Sequence, residues 1–170
     1  MLMTRCAKAV MVACLALFAA LVAFNNLVDY RANLAFVQHV LAMDDIFDGS
    51  RHLIRWRAIQ SPLLWHTLYG LIIAGEIATA LLLGRGAWAL WQARHASAAQ
   101  FARAKHWAMA GVLAGFVLWF LGFMVIGGEW FLMWQSPTWN GQAGAFRFYM
   151  TLLGVGIFVN QGDGEVAPVA

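Results

Sequence analysis

Ser61 to Gly84 (SPLLWHTLYGLIIAGEIATALLLG) constrains this chain more than any other stretch. About 20 mostly apolar residues are enough to cross a bilayer, and this run is longer than that. Ser61 stands as a candidate N-cap, with Pro62 at the first helical position. A carboxylate, Glu76, sits near mid-span. On a helical projection of about 100° per residue, His66, Tyr69 and Glu76 fall within about 80° of one another. A polar stripe is costly against lipid, so the helix is expected to turn it towards other protein.

Composition points the same way. The chain is 62% hydrophobic and 11% charged, against about 45–50% and about 25% in soluble domains. Its basic residues lie beside apolar segments rather than on one face, so the net charge of +3 gives no reason to expect a nucleic-acid partner. Of nine tryptophans, all but Trp119 crowd segment ends and loops, as interfacial anchors do. Cys6 and Cys14 on one helix would be separated by about 12 Å of rise, too far for a disulfide, and read as small reduced apolar residues.

Four spans are expected, at about residues 9–28, 62–84, 106–127 and 143–159, with 161–170 a short, mobile polar tail. The first follows Arg5 and Lys8 and reads as a retained helix rather than a cleaved leader. Ala9, Ala13, Ala16, Ala20 and Ala23 offer it a small-residue seam. Gly111, Gly115 and Gly122 do the same for the third span. In the first loop, Asn33 to Phe47 has helical spacing, Asp48-Gly49-Ser50 punctuates, and Arg51 to Ile59 reads as a basic, Trp-bearing interfacial helix. The segment from Arg85 to Lys105 carries Arg85, Arg94, Arg103 and Lys105 with no acid, which marks it as cytoplasmic and puts both termini inside. The expected fold is an all-α membrane protein, a four-transmembrane-helix bundle with short interfacial helices in the outer loops.

Glu76 with His66 and Tyr69 is the first candidate site, for proton or cation handling or a quinone contact; a carboxyl that joins helices is the competing reading. A bis-histidine haem is disfavoured, because His66 and His106 lie at opposite ends of their spans and spans one and four have no His. A second candidate is the outer surface. Asp29, Asn33, His39, Asp44 and Asp45 come from the first loop, and Glu129, Trp130, Trp134, Trp139, Asn140, Gln142 and Arg147 from the second. These could wall a ligand pocket with indoles, or serve as helix caps and a docking face. No metal-ligand spacing, nucleophile elbow, zinc-protease motif or P-loop occurs, so no catalytic residue, cofactor or metal is expected. A bound lipid or quinone is left open.

Two stretches, Asp29 to Asp45 (DYRANLAFVQHVLAMDD) and Gly128 to Arg147 (GEWFLMWQSPTWNGQAGAFR), resemble a bacterial family of predicted small integral membrane proteins, domain-of-unknown-function family 2165. The likeness runs from about Ala9 to Val159. It departs at Asp45-Ile46-Phe47-Asp48, where a small, Thr-rich, Pro-containing turn is more typical. The resemblance implies four helices in a bacterial inner membrane and no particular activity. With small-residue seams and no complete active site, the chain is expected to be a non-catalytic accessory subunit of a larger inner-membrane complex, a respiratory or other electron-transfer assembly first of all. Its partners would be other integral membrane subunits and membrane lipids. The alternative is a membrane protein that binds a quinone, lipid or cation through Glu76 or the outer Trp-rich pocket.

Overall fold

A computed structural model describes residues 1–166. Helix α1 (Leu2–Val28) leads almost directly into α2 (Tyr30–Ala42), and α3 (Asp48–Ile54) ends in a 3-10 turn, Arg55–Arg57. Next come α4 (Pro62–Gln92), α5 (Ala98–Ala104) and α6 (His106–Phe116), which continues without a break as a π-helix, Val117–Trp130. After a short 3-10 turn at Met133–Gln135, α7 (Gln142–Asn160) closes the bundle. Four stretches are long and apolar enough to cross a membrane: Leu2–Val28, Pro62–His95, Ala98–Trp130 and Gln142–Asn160. Among the described residues there is no strand. The four-helix bundle expected from the sequence is therefore present.

Helix α4 is the centre. It packs along α1 on one side and α6 on the other, while α7 lies against α6 and the π-helix. Pro62 occupies the first turn as expected, although the Ser61 side chain makes no capping bond. The α4 face turned inward carries Tyr69, Ile73, Glu76, Thr79, Leu83, Gly86, Ala87 and Leu90, a repeat of three and four residues. Glu76 and Tyr69 are each only 2% exposed, so that polar stripe does turn towards protein.

The small-residue seams are only partly as expected. On α1 the buried face is Arg5, Lys8, Ala9, Val12, Leu15, Ala16, Ala19 and Ala23. Ala13 and Ala20 point outward, because Val12 and Ala19 hold those inward positions and one residue is about 100° of rotation. A Cβ on Gly111 would lie 2.8 Å from the Leu83 nitrogen, and one on Gly115 would lie 2.6 Å from a Leu152 methyl. Gly122, by contrast, faces open space. The cause is the π-helix, where bonds close from i to i+5, as the Phe131 N–H does on the Ile126 carbonyl at 3.0 Å. A smaller angular step per residue carries Gly122 off the face. The tightest approach to another helix's backbone was not foreseen: a Cβ on Gly86 would lie 2.5 Å from the Ala108 nitrogen.

The first loop also differs from expectation. Helix α2 begins at Tyr30 and stops at Ala42, where Met43 takes a left-handed conformation, φ 52°. Asp48-Gly49-Ser50 is not a break but the first turn of α3, and Asp48 there complements the positive helix end. The tail is not free either. Residues 161–165 are fastened to the ends of α1 and α5, as described below; 167–170 lie outside the described residues.

Candidate functional site

Two polar structures lie inside the bundle, and a third joins the loops. The first is built on the α4 stripe. Asn26, two residues before the end of α1, points its amide at Glu76 and donates to both carboxylate oxygens at 2.8 Å. The Tyr69 hydroxyl, about two turns earlier on the same face of α4, donates to the Asn26 carbonyl at 3.0 Å and to its Oδ1 at 3.2 Å. Thr79, fully buried one turn below, spends its hydroxyl on the Gly75 carbonyl of its own helix at 2.8 Å. No Lys, Arg or His makes an ion pair with Glu76 among the described residues.

His66 does not reach this node directly. Its Nδ1 shares a 2.9 Å hydrogen bond with the Tyr30 hydroxyl, and the two rings stack. Tyr30 in turn packs on Tyr69 with ring centroids 4.8 Å apart. His66, Tyr69 and Glu76 thus form one path from an exposed imidazole to a buried carboxylate, linked by Tyr30 and Asn26. Sequence reasoning missed both linkers. The signal available was an Asn in the last turns of an apolar helix, a residue that a bilayer core would otherwise exclude.

The outer surface is only partly assembled. The His39 imidazole shares a 2.9 Å hydrogen bond with the Asp44 carboxylate, and Trp139 of the second loop stacks on the imidazole at 4.4 Å. Trp134 meets Phe47 edge to face at 5.9 Å. The stitching between the loops comes from Gln135 and Ser136, which were not singled out. Gln135 accepts from the Phe47 N–H at 3.1 Å and donates to Ser50 at 3.2 Å. Ser136 donates to Asp45 at 2.6 Å. The Asn33 amide donates to the Asp29 carbonyl at 3.4 Å. Asn140 accepts from the Gln142 N–H as α7 starts. Glu129 and Arg147 stand exposed without an ionic partner among the described residues. No group of three or more His, Cys, Asp or Glu gathers with metal-holding geometry among the described residues.

The other buried structure lies at the opposite end of the bundle. Arg5, fully buried, donates to the carbonyls of Arg94, Ala96 and Gly164, and its guanidinium lies 4.8 Å from the Phe101 ring. Lys8 and Lys105 both grip Asp163, at 2.9 and 2.5 Å, and both donate to the Gln161 carbonyl. The Ala98 N–H at the start of α5 binds the Glu165 carboxylate at 3.1 Å. Burial alone would raise the Asp163 carboxyl, but the two ammonium groups outweigh it and hold it below the ordinary carboxylate value. These bases were read as membrane flanks; their buried role was not legible because their acid lies in the tail.

A family model described as "Predicted small integral membrane protein (DUF2165)" matches residues 4–162. No curated protein and no solved structure matches the chain. The chain belongs to that family and is an integral membrane protein.

Proposed function

We propose that this family member is a non-catalytic accessory subunit of a larger membrane complex, docking its neighbour through the outer face of α7. One observation carries the reading. Arg147, Thr151 and Gly154 recur at i, i+4 and i+7 on the exposed side of a helix that is otherwise apolar enough to span. Thr151 bonds back to the Arg147 carbonyl at 2.7 Å, and a Cβ on Gly154 would meet nothing within 4 Å. Small and hydroxyl-bearing residues against lipid gain nothing there, whereas against another helix they permit close backbone approach and interhelical hydrogen bonds. The unpaired guanidinium favours a neighbour with a carboxylate at that level. A bacterial inner-membrane complex, with electron-transfer assemblies first, is the place to look. A photo-crosslinking residue in place of Thr151 should capture a different membrane polypeptide in intact cells. Capture of lipid alone would reject the reading.

A second reading rests on Glu76. It is buried at mid-span and, among the described residues, met only by a neutral amide. That is the setting of a carboxyl that binds a cation or quinone, and equally of a helix clasp. Glu76→Gln keeps the size and most hydrogen bonds. A ligand role predicts normal membrane abundance with lost activity of the host membrane system; a clasp predicts reduced abundance.

A further inference from the structure

A cavity of about 320 Å³ opens between α2, α4 and the π-helix. Its walls include Val37, Leu41, Leu68, Ile72, Leu118 and Phe123, and no polar side chain lines it. It lies along the half of the bundle nearer the aromatic loops, since α2 and the first turns of α4 form it. The volume is at the lower end of the range for ligand pockets, about 300–1,000 Å³, and suits one slender chain. A quinone ring would need a donor for its oxygens inside such a pocket, and none is offered.

The mouth of the groove has a charge. Two contacts place the 3-10 turn Arg55–Arg57 there. The Ile59 N–H donates to the carbonyl of Leu41, a wall residue, at 2.8 Å. Arg57 donates to the Trp130 carbonyl at 3.4 Å and lies 4.8 Å from its indole ring. Trp130 stands between Gly127 and Phe131, which both line the groove, and stacks edge-on with Trp56 at 5.8 Å. Arg57 therefore sits in an indole collar above an apolar slot. It forms no ion pair with a carboxylate among the described residues, and its Nε is buried without a partner. Arg55 on the same turn is also without an ion pair among the described residues. An arginine beside tryptophans at the level of the headgroups, unneutralised by protein, complements a phosphate.

We propose that the groove binds an anionic phospholipid, with one acyl chain between α2, α4 and the π-helix and the phosphate on Arg57. The site is independent of the α7 face. The π-helix makes it: by carrying Gly122 away from the helix seam, it leaves that residue lining the slot instead of packing.

The test is native mass spectrometry of the delipidated full-length protein, titrated with phosphatidylglycerol, phosphatidylcholine or an isoprenoid quinone. One phosphatidylglycerol should bind in preference to phosphatidylcholine. Arg57→Gln should erase about fivefold of that preference, the worth of one basic residue near an anionic headgroup. Gly122→Leu fills open space and should abolish binding of either phospholipid with the fold intact, checked by thermal unfolding. Leu121→Trp, at a half-exposed wall position, gives a second block should the first disturb folding. Equal retention of the two phospholipids, or no effect of Arg57→Gln, would overturn the headgroup assignment. Undiminished binding in both blocked variants, or preference for the quinone, would overturn the groove assignment.

Discussion

The two halves of the bundle are built differently. At the basic end, backbones meet closely: Gly86 lies against Ala108, Gly111 against Leu83 and Gly156 against Val112. Every buried charge there has a partner, with Lys8 and Lys105 sharing Asp163 and Arg5 filling three carbonyls. At the aromatic end the π-helix loosens the register, a cavity of about 320 Å³ opens, and the buried carboxylate has an amide instead of a cation. The first half is a scaffold whose buried carboxylate and ammonium groups are matched within the chain, although Arg5 Nε has no hydrogen-bond partner among the described residues. The second leaves volume, an arginine and a carboxylate unmatched, and those are the features that await something outside it.

The sharpest way to break this contrast is to remove the shared acid. Asp163→Asn leaves two buried ammonium groups facing each other and is expected to cost about 3–5 kcal/mol, read as a lower unfolding temperature in detergent. The same acid sets a pH dependence. Its folded pKa is depressed, so its contribution is fully present above the ordinary value of 3.8 and is lost as pH falls below that through the folded value. Thermal unfolding between pH 7 and 3 should show a drop at the acid end that Asp163→Asn removes.

Next in size is Gly86→Leu. Its side chain has backbone to displace, so overpacking should cost at least about 1–3 kcal/mol and lower membrane abundance. Asn26→Leu should cost about 1–3 kcal/mol by leaving the Glu76 carboxylate unsatisfied, with Glu76→Gln smaller. Smallest of all, Gly122→Leu should leave thermal stability within about 0.5 kcal/mol, since it enters open space. A large loss there would mean that the aromatic half is packed as tightly as the basic one.

The same contrast explains what could be read in advance. Hydropathy and length revealed the four spans, because a bilayer imposes both directly. The inward stripe of Tyr69 and Glu76 was legible from a single helical projection. Its partner Asn26 was not, since no pattern within one helix says which neighbour it meets. Gly122 was misplaced because the projection assumed one period, and nothing local to Val117–Trp130 announces a π-helix. The fastening of the tail by Arg5 and Lys8 depends on residues 153 or more positions away, and Lys105 reaches 56, separations that chain-order reading cannot bridge. At the loops, His39, Asp44 and Trp139 come together as grouped, whereas Asp29, Asn33, Glu129, Asn140 and Arg147 remain apart.

The most direct test of the subunit role is native size after gentle extraction from the cell's own membranes, with co-migrating proteins identified. A stable assembly containing other integral membrane proteins is expected, and Arg147→Leu combined with Gly154→Leu should release this chain from it. A lone chain or a small assembly of identical copies would contradict the role and leave Glu76 as the site to pursue.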